Sequence, residues 1–156
     1  MLRDHQFQTL ITWTGNLGSG TMDYRSYERD FTLNVTGKPE LKGSSASTFL
    51  GDDTAYNPED LFLASVSSCH MLWYLHLCAD RGVVVLDYKD RAEAVLSEEP
   101  DGSGRFTRIT LNPEVVISAD GDIDLANSLH QEANRMCFIA NSLNCPVTHR
   151  PICTKG

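Results

Sequence analysis

Asn57-Pro58-Glu59-Asp60-Leu61-Phe62-Leu63-Ala64-Ser65-Val66-Ser67-Ser68-Cys69-His70 opens the longest uniform segment of the chain and governs how the rest is read. Asparagine is a strong helix N-cap, proline suits the first helical position, and two acids there complement the positive end of the helix dipole. Arg81-Gly82 supplies a matching stop, a cation in the last turn followed by glycine. The pattern predicts one helix from Asn57 to Arg81. Leu61 to Cys78 carries no formal charge and is long enough to span a bilayer. Three serines and two histidines interrupt it, and no basic residue flanks its start. The better reading is a helix buried on most sides, in a domain or a dimer.

Working outward, the first third reads as strands and turns. Phe7 to Trp13 partly alternates, as a half-buried strand does, and Tyr27 to Val35 places Phe31, Leu33 and Val35 on one face. Gly15 to Gly20 is a glycine-rich turn, and Gly37 to Asp53 reads as a surface loop. Beyond the helix, Val83 to Leu96 reads as one strand and Glu99 to Gly104 as a hairpin turn. Phe106–Leu111 and Val115–Ile117 pair back across it, with Asn112-Pro113 as a break. Asp122 or Asp124 caps a second helix running to about Asn141, with an apolar stripe of Leu125, Leu129, Met136 and Ala140. Val147 to Cys153 is the last strand. Strands, helix, hairpin, helix, strand gives an α+β class in a single domain, 1–156, with no internal repeat.

The 156 residues are 41% hydrophobic, enough for a core, and the formal net charge is -8. That charge argues against a broad nucleic-acid surface and gives little attraction to anionic membranes. Leu2 to Gly20 has no apolar secretory core, and the five cysteines are odd in number and irregular in spacing. Both features point to a reducing, cytoplasmic setting.

Cys69 is the leading chemical candidate, although a free cysteine is also a common core residue. A reactive thiol must ionise, so it needs hydrogen bonds or a cation nearby. His70 is its neighbour, but adjacent helical residues point about 100° apart. Cys145, in Asn144-Cys145-Pro146-Val147, sits in a turn after the second helix and meets Cys69 only if the two helices pack with those ends together. Cys78 falls on the opposite face of the helix from Cys69, Cys137 reads as a packed residue inside the second helix, and Cys153 has no assigned role. Glu59 lies ten residues before Cys69, about 15 Å along one helix. If both serve one site, Glu59 comes from a second copy. The Cys/His pairs Cys69-His70 and His76-Leu77-Cys78 lack metal-binding spacing, and Gly15 to Gly20 lacks the ending of a phosphate loop.

The Asn-Pro-Glu helix start, the cysteine ten residues after Glu59 and the late Cys-Pro-Val resemble the OsmC/Ohr family of thiol peroxidases. The resemblance runs across nearly all of the chain in element order and is sharpest at Asn57 to His70 and Asn144 to Val147. It implies an OsmC-like fold with antiparallel sheets and two long helices in an intertwined homodimer. By it, Cys69 corresponds to the peroxidatic cysteine, Cys145 to the resolving one and Glu59 to the motif glutamate, which in the family pairs with an arginine beside the sulfur. It further implies reduction of organic hydroperoxides in oxidative-stress defence, with electrons from a dithiol such as a dihydrolipoyl group and with no metal or organic cofactor. The positions where the family carries that arginine read Gly15-Asn16-Leu17-Gly18 and Ser47-Thr48-Phe49-Leu50 here, leaving Arg25 and Arg29 as substitutes. Without that arginine, the rival reading is a non-enzymatic small-molecule binder or redox sensor of the same fold.

Overall fold

The computed structural model describes residues 3–156, which carry nine strands, two α-helices and two short 3-10 turns. The chain divides into two compact units, Met1–Leu61 and Phe62–Gly156, the division falling within the first helix.

The first unit holds an antiparallel sheet of β1 (Leu10–Trp13), β2 (Phe31–Asn34) and β3 (Leu41–Gly43), with β2 central. The third strand and a 3-10 turn at Ser47–Phe49 lie in the segment read as loop. Its strand signal is hidden because the residue opposite Phe31 is Gly43. A β-carbon there would fall 2.2 Å from the Phe31 ring, so only glycine lets that ring lie across the neighbouring strand.

Helix α1 (Pro58–Asp80) begins and ends where the sequence places it. The Asp60 N–H donates to Asn57 Oδ1 at 2.8 Å and the Asn57 N–H to Asp60 Oδ2 at 3.2 Å, a reciprocal cap that satisfies two free donors. At the other end Gly82 takes φ +72, and the N–H groups of Val83 and Gly82 donate to the carbonyls of Cys78 and Ala79. This double closure needs a left-handed residue, which glycine adopts without a Cβ penalty. The helix is long and apolar enough to cross a membrane by length and composition alone. Its buried stripe is Val66, His70, Tyr74, Leu77 and Cys78.

The second unit contains two sheets. In one, β4 (Val85–Asp90), β7 (Pro113–Ile117) and β9 (Ile152–Lys155) lie in the order β4-β7-β9. In the other, β5 (Glu93–Glu98), β6 (Gly104–Leu111) and β8 (Val147–His149) lie in the order β5-β6-β8. In both the first pair is antiparallel and the last parallel. The segments read as single strands, Val83–Leu96 and Val147–Cys153, are therefore each two strands, and β6 and β7 pair in different sheets. The chain changes sheet at Arg91-Ala92, Asn112 and Arg150-Pro151. These corners are stitched together: Asp90 Oδ1 accepts from the Asn112 N–H at 2.7 Å, Asn112 Nδ2 donates to the Arg91 carbonyl at 2.8 Å, and the Arg150 N–H to the Leu111 carbonyl at 2.8 Å.

Helix α2 (Ile123–Met136) is capped by Asp122, whose side chain accepts from the Leu125 N–H at 3.0 Å. It buries Ala126, Leu129, His130 and Ala133, a stripe rotated from the one expected. It also ends earlier. Cys137 is its C-cap, with extended backbone, rather than an interior residue. Two apolar cores result. One joins the N-terminal half of α1, through Phe62, Leu63 and Val66, to Ile109, Leu111 and Val147 of the β5-β6-β8 sheet. The other joins Tyr74, Leu77 and Cys78 of α1 to Val115 and Ile117 of the β4-β7-β9 sheet and to Leu129 and Ala133 of α2.

Candidate functional site

All five cysteines are free thiols. Cys69, on α1, is half-buried, and the thiol beside it is that of Cys137 at the end of α2. Burial pushes the Cys137 thiol up to about 11, and the neighbouring Cys69 thiol adds to the rise. The Cys137 sulfur also accepts from the Ala140 N–H at 3.4 Å. Cys137 thus stays protonated near neutral pH and can donate to a Cys69 thiolate. A thiolate with a neighbouring S–H donor is the arrangement from which a disulfide forms once one sulfur is oxidised.

Cys145 packs with the core around Val66, Ile109 and Leu111, and lines a groove of about 630 Å³ with Phe62, Arg105, Phe106, Leu143 and Pro146. The rings of Phe62 and Phe106 stack there at 4.5 Å. Glu59 occupies the first turn of α1, where its charge complements the helix dipole, and it makes no ion pair among the described residues. Arg29 donates to the carbonyls of Tyr24 and Tyr27 and lies over both rings, 4.4 and 4.2 Å from their centroids. Arg25 is held by its backbone N–H, which donates to Asp23 Oδ1 at 2.7 Å.

A second cluster, absent from the sequence reading, lies beside the thiols. His70 and His130 are 1% and 0% exposed, and His70 Nε2 lies 3.0 Å from His130 Nδ1. The two rings are 7° from parallel, His149 stands 5.7 Å from His70 and 6.1 Å from His130 by ring centroids, and Tyr74 stacks on His130 at 3.9 Å. Burial, then repulsion from His149, pushes His70 down to about 4. Burial, then His70 and His149, pushes His130 down to about 3. Both rings are neutral at ordinary pH. Among the described residues, no three His, Cys, Asp or Glu side chains are arranged to hold a metal ion.

Residues 51–150 match the family described as OsmC-like protein. The chain belongs to the OsmC family. An OsmC-like protein of unknown function from Vibrio cholerae is 28% identical, with a TM-score of 0.86 over 96% of this chain and all of that one. An organic hydroperoxide resistance protein OsmC from Legionella pneumophila is 18% identical, with a TM-score of 0.69 over 97% of this chain and 99% of that one. The organic hydroperoxide resistance protein OhrB of Bacillus subtilis is likewise 18% identical, with a TM-score of 0.62 over 95% and 98%. At those two identities the likeness is one of fold. No curated protein matches the chain. The expected α+β OsmC-like fold is thereby shown.

The thiol contact at Cys137 was hidden in the sequence, because Met136-Cys137-Phe138-Ile139 carries no glycine, asparagine or proline to mark a helix end. The histidine cluster had one visible trace: His130 stands four residues after Ala126 and three before Ala133, on a stripe that is otherwise small and apolar.

Proposed function

We propose that the chain is a thiol peroxidase that reduces organic hydroperoxides, with Cys69 as the attacking thiol. The observation that carries this reading is the contact between Cys69 and the protonated thiol of Cys137. The Cys69 thiolate attacks the terminal peroxide oxygen. The O–O bond breaks, the alcohol leaves after taking up a proton, and Cys69 becomes a sulfenic acid. A second thiolate then attacks that sulfur, expelling water and leaving a disulfide. The contact favours Cys137 for this second role, where the sequence resemblance alone pointed to Cys145. A dithiol of the dihydrolipoyl type restores both thiols by exchange. Trp73, half-buried one turn after Cys69 on α1, supplies apolar surface for an alkyl group in a cytoplasmic stress response.

A homodimer belongs to the same proposal. Leu72 of α1 is 63% exposed and Phe138, next to Cys137, is 69% exposed. Large apolar side chains left in water beside a reactive site mark an interface, and a second copy is the source from which Glu59 can reach Cys69. Sedimentation at low micromolar concentration tests the assembly; a stable, active monomer overturns it.

The chemistry is tested by treating the protein with cumene hydroperoxide and mapping the products by mass spectrometry without reduction. A Cys69–Cys137 disulfide is expected. Cys69→Ser abolishes turnover, Cys137→Ser stops after one oxidation at the sulfenic acid, and Cys145→Ser keeps the disulfide. A bridge from Cys69 to Cys145 would move the second role back to Cys145, and oxidation that spares Cys69 refutes the peroxidase reading.

A further inference from the structure

The two buried histidines stand in a fixed relation to the two thiols. His70 follows Cys69 on α1. His130 lies seven residues before Cys137, and seven steps of about 100° return to within about 20° of the start, so both lie on one stripe of α2. One pair of positions therefore brings the thiols together and the next pair brings the imidazoles together.

The imidazole contact is unusually exclusive. Among the described residues, His70 Nδ1 and His130 Nε2 are buried without a partner. Whichever ring donates, the bond between His70 Nε2 and His130 Nδ1 is the one hydrogen bond of either side chain among the described residues. Other side-chain ties between α1 and α2 are apolar or exposed. Trp73 meets Phe138 edge-on at 5.6 Å, and Arg81 reaches Glu132 at 3.5 Å on the surface. Apolar contacts tolerate sliding, whereas a hydrogen bond weakens steeply with distance and angle. The core beyond Tyr74 supplies adhesion, and the imidazole pair supplies direction.

We infer that the His70–His130 hydrogen bond is a positioning contact that fixes how α1 is set against α2, and through it the separation of the Cys69 and Cys137 sulfurs. The inference rests on reading those thiols as the redox pair. Neither histidine touches a reacting atom, so neither is a catalytic residue. A disulfide forms only within narrow limits of Cα separation, about 4.4–6.8 Å, and of dihedral angle. A pair held close to those limits gains effective molarity over one that drifts.

The test exploits which ring nitrogen bonds. For His70 it is Nε2, a position that a glutamine amide reaches; for His130 it is Nδ1, which an asparagine amide reaches. The disulfide is equilibrated with glutathione, two glutathione thiols giving the protein dithiol and glutathione disulfide, and the reciprocal of that equilibrium constant is the effective molarity of the pair. His70→Gln and His130→Asn should stay within about threefold of the unsubstituted protein. His70→Asn, His130→Gln and phenylalanine at either position should fall at least tenfold. Gly82→Ala, which strains the far end of α1 without touching the pair, should lower stability and leave the effective molarity unchanged. Equal values in all the histidine variants, or values that simply follow stability and include Gly82→Ala, overturn the inference. If the unsubstituted protein forms no Cys69–Cys137 disulfide, the redox-pair reading falls first and the positioning inference with it.

Discussion

Lowering the pH from 7.5 to 4.5 should cost the fold about 5 kcal/mol through two histidines alone. His70 titrates at about 4 and His130 at about 3 in the folded chain, against an ordinary value of 6.5. The groups recorded as acting on them are each other and His149, with Tyr74 stacked on His130, and none of these is an anion at neutral pH. Both folded values are depressed, so the unfolded chain takes up protons first. Stability is intact above pH 6.5 and falls as pH drops below it, until about pH 4 for His70 and about pH 3 for His130. At pH 4.5 each unfolded imidazole is almost fully protonated and each folded one mostly neutral, which is about 2.5 kcal/mol per residue by proton linkage. With a urea dependence of about 2 kcal/mol per molar, the unfolding midpoint should move down by about 2.5 M. Urea titrations at half-unit pH steps and one protein concentration measure this. The paired variant His70→Phe/His130→Phe removes both groups together and strands neither. Its slope between pH 6.5 and 4.5 should be much shallower, with only His149, which burial also pushes down, left to titrate in the cluster. The same slope in the variant as in the unsubstituted protein would refute the assignment of acid sensitivity to this cluster.

With its thiol held near 11 rather than the ordinary 9.0, Cys137 should be alkylated by iodoacetamide at pH 8 about tenfold more slowly than an unperturbed thiol before any effect of access, its smaller thiolate fraction being partly offset by the stronger nucleophilicity of a more basic sulfur. Quantitative mass spectrometry of the labelled cysteines reads this, and Cys137 labelling at the rate of an ordinary thiol contradicts it. For the same reason, closure of the disulfide after Cys69 oxidation should quicken about tenfold per pH unit between 7 and 9 in stopped-flow measurements. Gly82→Ala should destabilise by about 1 kcal/mol from left-handed backbone strain alone, since a β-carbon there meets nothing within 4 Å. Gly43→Ala, which collides with the Phe31 ring, should cost more, about 1–3 kcal/mol. Asp122→Ala removes the α2 cap and should cost about 1 kcal/mol; thermal melts rank the three.

The parts of this fold legible in the sequence are those set by local chemistry. Asn57, Pro58 and Asp60 start α1 because they satisfy its first free amides, and Gly82 stops it because the closure needs a left-handed residue. The same locality made Asp122 readable as a cap. The sheets were less legible, because nothing in an alternating pattern marks where a strand leaves one sheet for another. Val85–Asp90 and Glu93–Glu98 are separated by two residues and belong to different sheets, and the corner between them is held by Asn112, far along the chain. The site divides in the same way. Cys69 stood out from its helix, but its neighbour was Cys137 rather than a residue with a motif of its own. That contact depends on where α2 ends and how it lies on α1, which are tertiary facts. The histidines are 60 and 19 residues apart in sequence, and only the folded chain brings them together.

Helix α1 belongs to both apolar cores, through Phe62, Leu63 and Val66 at one end and Tyr74, Leu77 and Cys78 at the other. Neither sheet of the second unit can lose its cover without exposing the same rod. The amides of the middle turns, between Val66 and Tyr74, can therefore reach solvent deuterium only when both cores open together, and their exchange should report the free energy of the whole unit rather than of any local fluctuation. A substitution in either sheet should accordingly speed exchange at the centre of α1 by the same factor by which it destabilises the unit. The residues that carry the chemistry would then be the last part of the unit to register local motion.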